Sequence, residues 1–412
     1  MSCRHCSSNQ LVQFLDLGFA PPSNAYLSQE DLAKPEKYFP LRVSVCMRCW
    51  LVQTEDHAEA EELFTPEYAY FSGMSSTWVR HVATYVEQMV ELLSLTQKSF
   101  VIEVASNDGH LLQNFVSKAI PCLGIEPTKS TADASRRVDV PVIEEFFGRK
   151  LGAELAQDDL KADLVIGNNV FAHVPDVNDF TAGLKLVLKT GGTITLEFPH
   201  LQELIEHVQF DTIYHEHFSY LSLFTVSRIF AQHDLRIWHA ERLPTHGGSL
   251  RVYGCHSDDP REASKEYEEI LNDEKRHGLQ EIEVYLEFQN KAEKIKNDLL
   301  FYLLEKKRQG QTVVAYGAAA KGNTLLNFAG VKTDLISRVY DAAPSKQGKF
   351  LPGSHIRIFP PDTFRDSGDD HVLILPWNIS EEVIAQLDEL TSRKMTYVKA
   401  IPHLVAESRE RE

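Results

Sequence analysis

The densest group of side chains able to move protons is Asp211-Thr-Ile-Tyr-His-Glu-His-Phe-Ser-Tyr220, where His215 and His217 flank Glu216 and Tyr214 and Tyr220 stand on either side. Histidine titrates near neutrality and a neighbouring carboxylate can hold its tautomer, so acid–base work is the chemistry this cluster suits. The pair lacks the H-E-x-x-H spacing that would set two histidines on one helical face for zinc. In an extended segment His215 and His217 would share one face and Tyr214 and Glu216 the other, whereas a helix would splay all four. The spacing leaves both open. A further histidine, His173 in Val170-Phe-Ala-His-Val-Pro-Asp176, follows a predicted strand end, where it can face the reactive end of a bound cofactor or serve structure alone.

Cys3-Arg-His-Cys6 and Cys46-Met-Arg-Cys49 form two C-x2-C pairs separated by 39 residues. Each pair can set two thiolates on one tight knuckle, and four thiolates complete a tetrahedral Zn(II) shell. The interval is longer than a usual ribbon loop, yet two such knuckles in one short segment point to a structural zinc on Cys3, Cys6, Cys46 and Cys49. A shell closed by sulfur has no open position for catalysis. His5 and His57 are then expected at the surface. Cys122 and Cys255 stand alone, and in a reducing compartment paired cysteines are metal ligands more often than disulfides.

Acid–base chemistry needs a scaffold, and the stretch Phe100 to Phe115, FVIEVASNDGHLLQNF, supplies one. An apolar run ends at Glu103, a small-residue turn follows over Ala105-Ser-Asn-Asp-Gly109, and Leu111, Leu112 and Phe115 resume at helical spacing. This predicts a strand, a tight loop and a helix start. In a parallel sheet ligands sit at the carboxyl ends of the strands, where this loop lies. The next runs, ending at Glu126, Glu145 and Asn168-Asn169, bring further polar groups to the same edge. A dinucleotide site would want G-x-G-x-x-G in the first turn. Here stand one glycine, Gly109, and two acids, Glu103 and Asp108, which suit a cationic nucleoside better than a pyrophosphate. The pattern resembles the class I S-adenosylmethionine-dependent methyltransferases. That resemblance implies that the first loop, with Glu103, Asn107, Asp108 and Gly109, holds the amino acid end of the cofactor, that Glu126 holds the ribose, and that Glu145 and Asn168 line the same pocket.

The chain has 412 residues, enough for two to three domains with real cores. Its 43% hydrophobic and 25% charged content is that of a globular protein. No segment approaches the roughly 18 to 20 apolar residues of a membrane span, and the polar, cysteine-bearing start does not read as a signal peptide, so a cytoplasmic protein is expected. A formal charge of −17 argues against wrapping a nucleic acid. The expected fold class is α/β: a zinc-binding module with lid loops over 1–75, a Rossmann-like methyltransferase domain over 76–255, and a helical linker with a second Rossmann-like domain over 256–412. Within the first unit, Leu15 to Tyr26 and Glu67 to Gly73 are aromatic and proline-bearing loops that can act as lids or pack one domain on the next. A helix is predicted from about Ser76 to Leu95. In the last unit, Thr312 to Leu326 repeats the strand, glycine turn and helix plan. It is not a P-loop, because Asn323 stands where lysine is required. Gly317, Gly322 and Lys321 can still place backbone N–H groups and a cation at a helix N-terminus, an anion site to which Lys346 and Lys349 add charge.

Across its whole length the chain resembles the sugar C-methyltransferases that act on nucleotide-linked 4-keto-deoxysugars. The likeness is carried by the cysteine knuckles, E-V-A-S-N-D-G at Glu103 to Gly109, N-V-F-A-H-V-P-D ending at Asp176, Y-H-E-H-F at Tyr214 to Phe218 and Y-G-A-A-A-K-G-N-T-L-L-N at Tyr316 to Asn327. The resemblance implies that His217 is the base and that Tyr214, Glu216 and His173 line its cavity. A tyrosine after the zinc module would reach the sugar, Tyr70 being the match and Tyr68 its near neighbour. Lys321 and Asn323 would meet the nucleotide diphosphate, dTDP being expected, with Lys346 and Lys349 nearby. The cofactors implied are S-adenosylmethionine and structural Zn(II), and the lack of an exposed apolar heptad makes a monomer the starting expectation. An O- or N-methyltransferase would need no carbon acid, and a zinc scaffold without activity would leave Tyr214 to His217 without a purpose.

Overall fold

The structure, a computed structural model, describes residues 2–55, 57, 73, 76–365, 368–391 and 393–409. The first sheet explains the long interval between the knuckles. Strands β1 (Leu11–Ala20) and β2 (Phe39–Cys46) pair antiparallel, and the register sets Leu11 opposite Cys46. The residue just after the first knuckle therefore meets the strand end that carries the second. Strand β3 (Val52–Thr54) extends the sheet on β2.

A helix over Ser76–Leu92 leads into a seven-stranded sheet. Its strands are β4 (Val101–Val104), β5 (Cys122–Ile125), β6 (Val142–Ile143), β7 (Ala162–Asn168), β8 (Leu188–Pro199), β10 (Leu235–Leu243) and β11 (Ser249–His256), in the order β10-β11-β8-β7-β4-β5-β6. The strands from β8 to β6 run parallel, while β11 pairs antiparallel with both β8 and β10. All four residues of β4 are buried, as are Leu164, Val165 and Ile166 of β7, because helices cover both faces of a parallel sheet. Burying each apolar side chain among them is worth roughly 1.5–3 kcal/mol. Strand β9 (Ser219–Tyr220) does not join this sheet. It pairs with β3, so the residues just after Tyr214–Phe218 stitch the zinc module to the middle of the molecule.

Helices over Lys265–Arg276, Glu283–Leu286 and Phe288–Arg308 then lead to a third sheet. It holds β12 (Val313–Tyr316), β13 (Val339–Tyr340), β14 (Ile358–Phe359), β15 (His371–Ile374), β16 (Met395–Lys399) and β17 (Val405–Arg409), in the order β14-β13-β12-β15-β16-β17. All of its pairings are parallel except that of β17. One apolar core runs from Phe14, Leu41 and Val43 of the first sheet through Tyr285, Phe288 and Leu299 of the linker helices to Ala315 and Leu373 of the third.

Candidate active site

A cavity of about 740 Å³ lies where the carboxyl ends of β4, β5 and β7 face the segment Tyr214–His217 and the N-terminal end of the helix Ala320–Phe328. From the sequence-predicted residues it gathers Glu103, Asn107, Glu126, Glu145, Asn168, His173, Tyr214, Glu216, His217, Lys321 and Lys346. Four of its lining residues, Ala105, Asn107, Asn169 and His246, hold positive φ between 49° and 57°. Left-handed backbone in residues other than glycine is disfavoured by about 1–3 kcal/mol each and gathers at working sites.

On the cofactor side, Glu126 accepts the Asn107 and Thr128 backbone N–H groups at 3.0 and 2.9 Å, which fixes the turn after β4. Burial, with the charges of Asp108 and Glu126 nearby, raises the Glu103 carboxyl well above its ordinary range. One Glu103 oxygen and both ends of the Asn168 amide are buried with no hydrogen-bond partner among the described residues. Buried polar atoms are seldom left so. An aminoacyl group with a cationic centre answers those needs, so the residues present fit S-adenosylmethionine. Two expected cofactor ligands do not line the cavity. Asp108 turns back and accepts the Gly73 N–H at 2.9 Å. Gly109 has φ +79°, and a Cβ there would lie 2.6 Å from the Ser135 hydroxyl, so it is required by close packing.

The Tyr214–His217 segment is neither extended nor helical. The His217 N–H closes a turn on the Tyr214 carbonyl at 2.9 Å, and the two rings lie against each other tilted by 32°, with centroids 4.0 Å apart. Tyr214, Glu216 and His217 thereby reach the cavity together. His215 leaves it and packs edge-on to Phe39. His217 Nδ1 lies 2.8 Å from the Thr212 carbonyl. A carbonyl only accepts, so that nitrogen carries the proton and Nε2 is the basic one. The Tyr214 hydroxyl donates to it at 2.9 Å. Burial, then the neighbouring His173, hold the His217 pKa well below its usual value, and the imidazole is neutral at pH 7. His173 lies edge-on to His217, centroids 4.6 Å apart, and burial lowers its pKa to about 4.

On the third side, Lys321 donates to Asn378 Oδ1 at 2.7 Å and lies over the Trp377 ring. Lys346 donates to the Ala318 carbonyl at 2.9 Å and sits 3.7 Å from Asp341. The glycine turn expected to present free N–H groups is partly filled by the chain itself, since Asp341 accepts the Ala318 N–H at 2.6 Å. Asn323 and Lys349 do not line the cavity. Asn323 is buried and donates to the Ser23 carbonyl at 2.6 Å, so it binds the polypeptide instead. Tyr68 and Tyr70 lie outside the described residues.

Sequence reasoning passed over Trp78 and His246 as site residues, and placed Asn24 only in a possible lid loop and Asn169 only at a polar strand end; all four line the cavity. His246 precedes a glycine pair and is bonded to Asn169 through Nε2 at 3.1 Å. That glycine pair was the available signal. Asn24 had only its place in the stretch Leu15 to Tyr26, because tertiary packing is what brings its side chain in.

The four cysteine sulfurs lie within 4.8 Å of one another, with Cys3–Cys49 at 3.4 Å and Cys6–Cys46 at 3.6 Å. A tetrahedron of thiolates about 2.3 Å from Zn(II) has this size. All four residues fit a closed structural zinc. His57 is exposed as expected, but His5 is buried, with Nδ1 3.0 Å from Asn178 Oδ1. The knuckle packs on the helix Val177–Val187, which takes His5 out of solvent.

Three family models cover consecutive stretches of the chain: a zinc binding domain at residues 3–64, a methyltransferase domain at 78–240 and a C-methyltransferase C-terminal domain at 244–402. The C-methyltransferase NovU of Streptomyces niveus is 32% identical over 400 residues, spanning 97% of this chain and 95% of that protein. Among solved structures, magnesium protoporphyrin IX methyltransferase of Synechocystis PCC 6803 with bound SAM aligns over 43% of this chain and 79% of its own, at 14% identity and a TM-score of 0.34. An S-adenosylmethionine-dependent methyltransferase of Clostridium acetobutylicum ATCC 824 aligns over 43% and 92%, at 9% identity and a TM-score of 0.35.

Proposed function

Because the chain belongs to the S-adenosylmethionine-dependent C-methyltransferases that carry an N-terminal zinc-binding domain, we propose that it methylates carbon 3 of a dTDP-linked 4-keto-deoxysugar, through an enolate, in branched deoxysugar biosynthesis. The observation that carries this reading is the locked tautomer of His217, whose basic nitrogen sits on Tyr214 in the wall of the cavity. A ketone at carbon 4 acidifies the carbon 3 proton, but water removes it slowly, and a placed base is typically worth about 10²–10⁴-fold. His217 takes that proton on Nε2. The Tyr214 hydroxyl turns from Nε2 to the carbon 4 oxygen as the acceptor binds, which bares the Nε2 lone pair for the carbon 3 proton and places a donor on the enolate oxygen. His173, close against the His217 ring, keeps water from the same space.

S-adenosylmethionine supplies an electrophilic methyl group when bound. Glu103, Asn107, Glu126, Glu145 and Asn168 hold it at one end of the cavity. Lys321 and Lys346 receive the diphosphate of the acceptor at the other, and Glu216 orients the sugar. In this reading residues 1–75, 76–255 and 256–412 are three units around one cavity, working as a cytoplasmic monomer. No helix among the described residues is long and apolar enough to cross a membrane.

Hydrogen exchange tests the enolate step apart from methyl transfer. In D₂O without methyl donor, the protein should exchange the carbon 3 proton of a dTDP-linked 4-keto-6-deoxysugar, read by loss of that NMR signal, faster than buffer alone. A rate equal to buffer for every such sugar would overturn the proposal.

A further inference from the structure

Glu216 stands beside the base in sequence and lines the cavity, yet its carboxylate is held by a residue of the zinc-bearing module. The Asn24 amide nitrogen lies 2.8 Å from one Glu216 oxygen and 2.9 Å from the other. Asn24 itself lines the cavity. It belongs to Pro21-Pro-Ser-Asn-Ala-Tyr26, which runs on from β1 between the catalytic turn and the third sheet. On the far side of that segment Asn323 donates to the Ser23 carbonyl at 2.6 Å, and the Tyr26 hydroxyl donates to the Ala318 carbonyl at 2.5 Å. The helix that carries Asn323 also grips the turn directly, since the Thr324 hydroxyl donates to the Ile213 carbonyl at 2.9 Å. The catalytic turn is thus clamped between a six-residue strap and one helix end.

We propose that Asn24 is the positioning residue of Glu216, and that the strap Pro21–Tyr26 is how the zinc module sets the geometry of the catalytic turn. The chemistry favours an amide in this place. A lysine or arginine would neutralise the carboxylate, and a second acid would compete for its proton. A neutral donor aimed at both oxygens fixes the carboxylate plane. In the function proposed above, Glu216 orients the acceptor sugar. Only the role of Glu216 toward the acceptor rests on the function proposed above; the clamp itself does not.

The exchange test uses the full-length, zinc-loaded protein without substrate. Hydrogen–deuterium exchange at the amides of residues 213–218 should rise about tenfold in Asn24→Ala, with exchange around Cys3–Cys6 and zinc content unchanged. In a Glu216→Ala background, which removes both acceptor oxygens, the same substitution should change that exchange by less than about twofold, as two residues acting through one contact require. Asn24→Asp supplies a readout that a merely structural role would not move. Two facing carboxylates share a proton, so its pH–rate profile for kcat/KM should gain an ionisation that the wild type lacks. Equal acceleration of exchange in both backgrounds, or none in either, would overturn the proposal. If the exchange results hold while the wild type methylates no keto sugar, the acceptor is wrong and the clamp stands.

Discussion

His217 is held by three neighbours with distinct tasks: Thr212 fixes its tautomer, Tyr214 occupies the basic nitrogen, and burial beside His173 keeps the ring neutral. His217→Ala or His217→Asn should lower turnover by about 10²–10⁴-fold while leaving the Kd for S-adenosylmethionine within about twofold. Calorimetric titration and steady-state kinetics on the same preparation check this, and near-wild-type turnover would remove His217 as the base. The sign of the pH effect follows from the burial. A histidine whose pKa is depressed below the ordinary 6.5 stays in its basic form at lower pH, as burial also makes its neighbour His173 do. The acid limb of kcat/KM should therefore lie well below pH 6.5, not on it. The types of these residues were legible because Y-H-E-H-F is a local motif. Their arrangement was not, because the turn closed by His217 on Tyr214 follows neither the two-residue nor the helical period. Of Asn24 the sequence showed only its place in the proline-bearing stretch Leu15 to Tyr26, not its role, since its partner stands 192 positions away.

At the scale of elements, buried parallel strands announce themselves as unbroken apolar runs, which is why β4, β5 and β7 and the polar loops after them could be read in advance. A two-residue strand such as β9 has no such run, and its pairing with β3 depends on the whole chain. The glycine turn after β12 shows a further limit. Its spacing predicted an open anion site, but Asp341 from the end of β13 fills part of it, leaving Lys321 and Lys346 as the charges that face the cavity. The zinc module reads differently again: its thiol spacing was legible, and the register of β1 on β2 supplies the closure. Because that sheet carries the strap, removing metal should act at a distance. Chelation or Cys46→Ser should lower the Tm by at least about 5 °C and reduce turnover together. An unchanged Tm and unchanged turnover after verified zinc loss would contradict a structural role.

Over the whole molecule, three sheets built from distant parts of the chain converge on one cavity, each with its own contribution. The seven-stranded sheet brings the acids and amides that suit a cationic nucleoside, the third sheet brings two lysines, and the zinc module brings Asn24. The central claim is that carbon, not oxygen or nitrogen, receives the methyl group. Incubation with methyl-¹³C S-adenosylmethionine and a panel of dTDP-linked 4-keto-6-deoxysugars, followed by NMR, tests it most directly. A new ¹³C methyl on a quaternary ring carbon beside the ketone is the expected result. A methyl shift typical of O–CH₃ or N–CH₃ would contradict it, leaving the cofactor site in place and His217 without its proposed task.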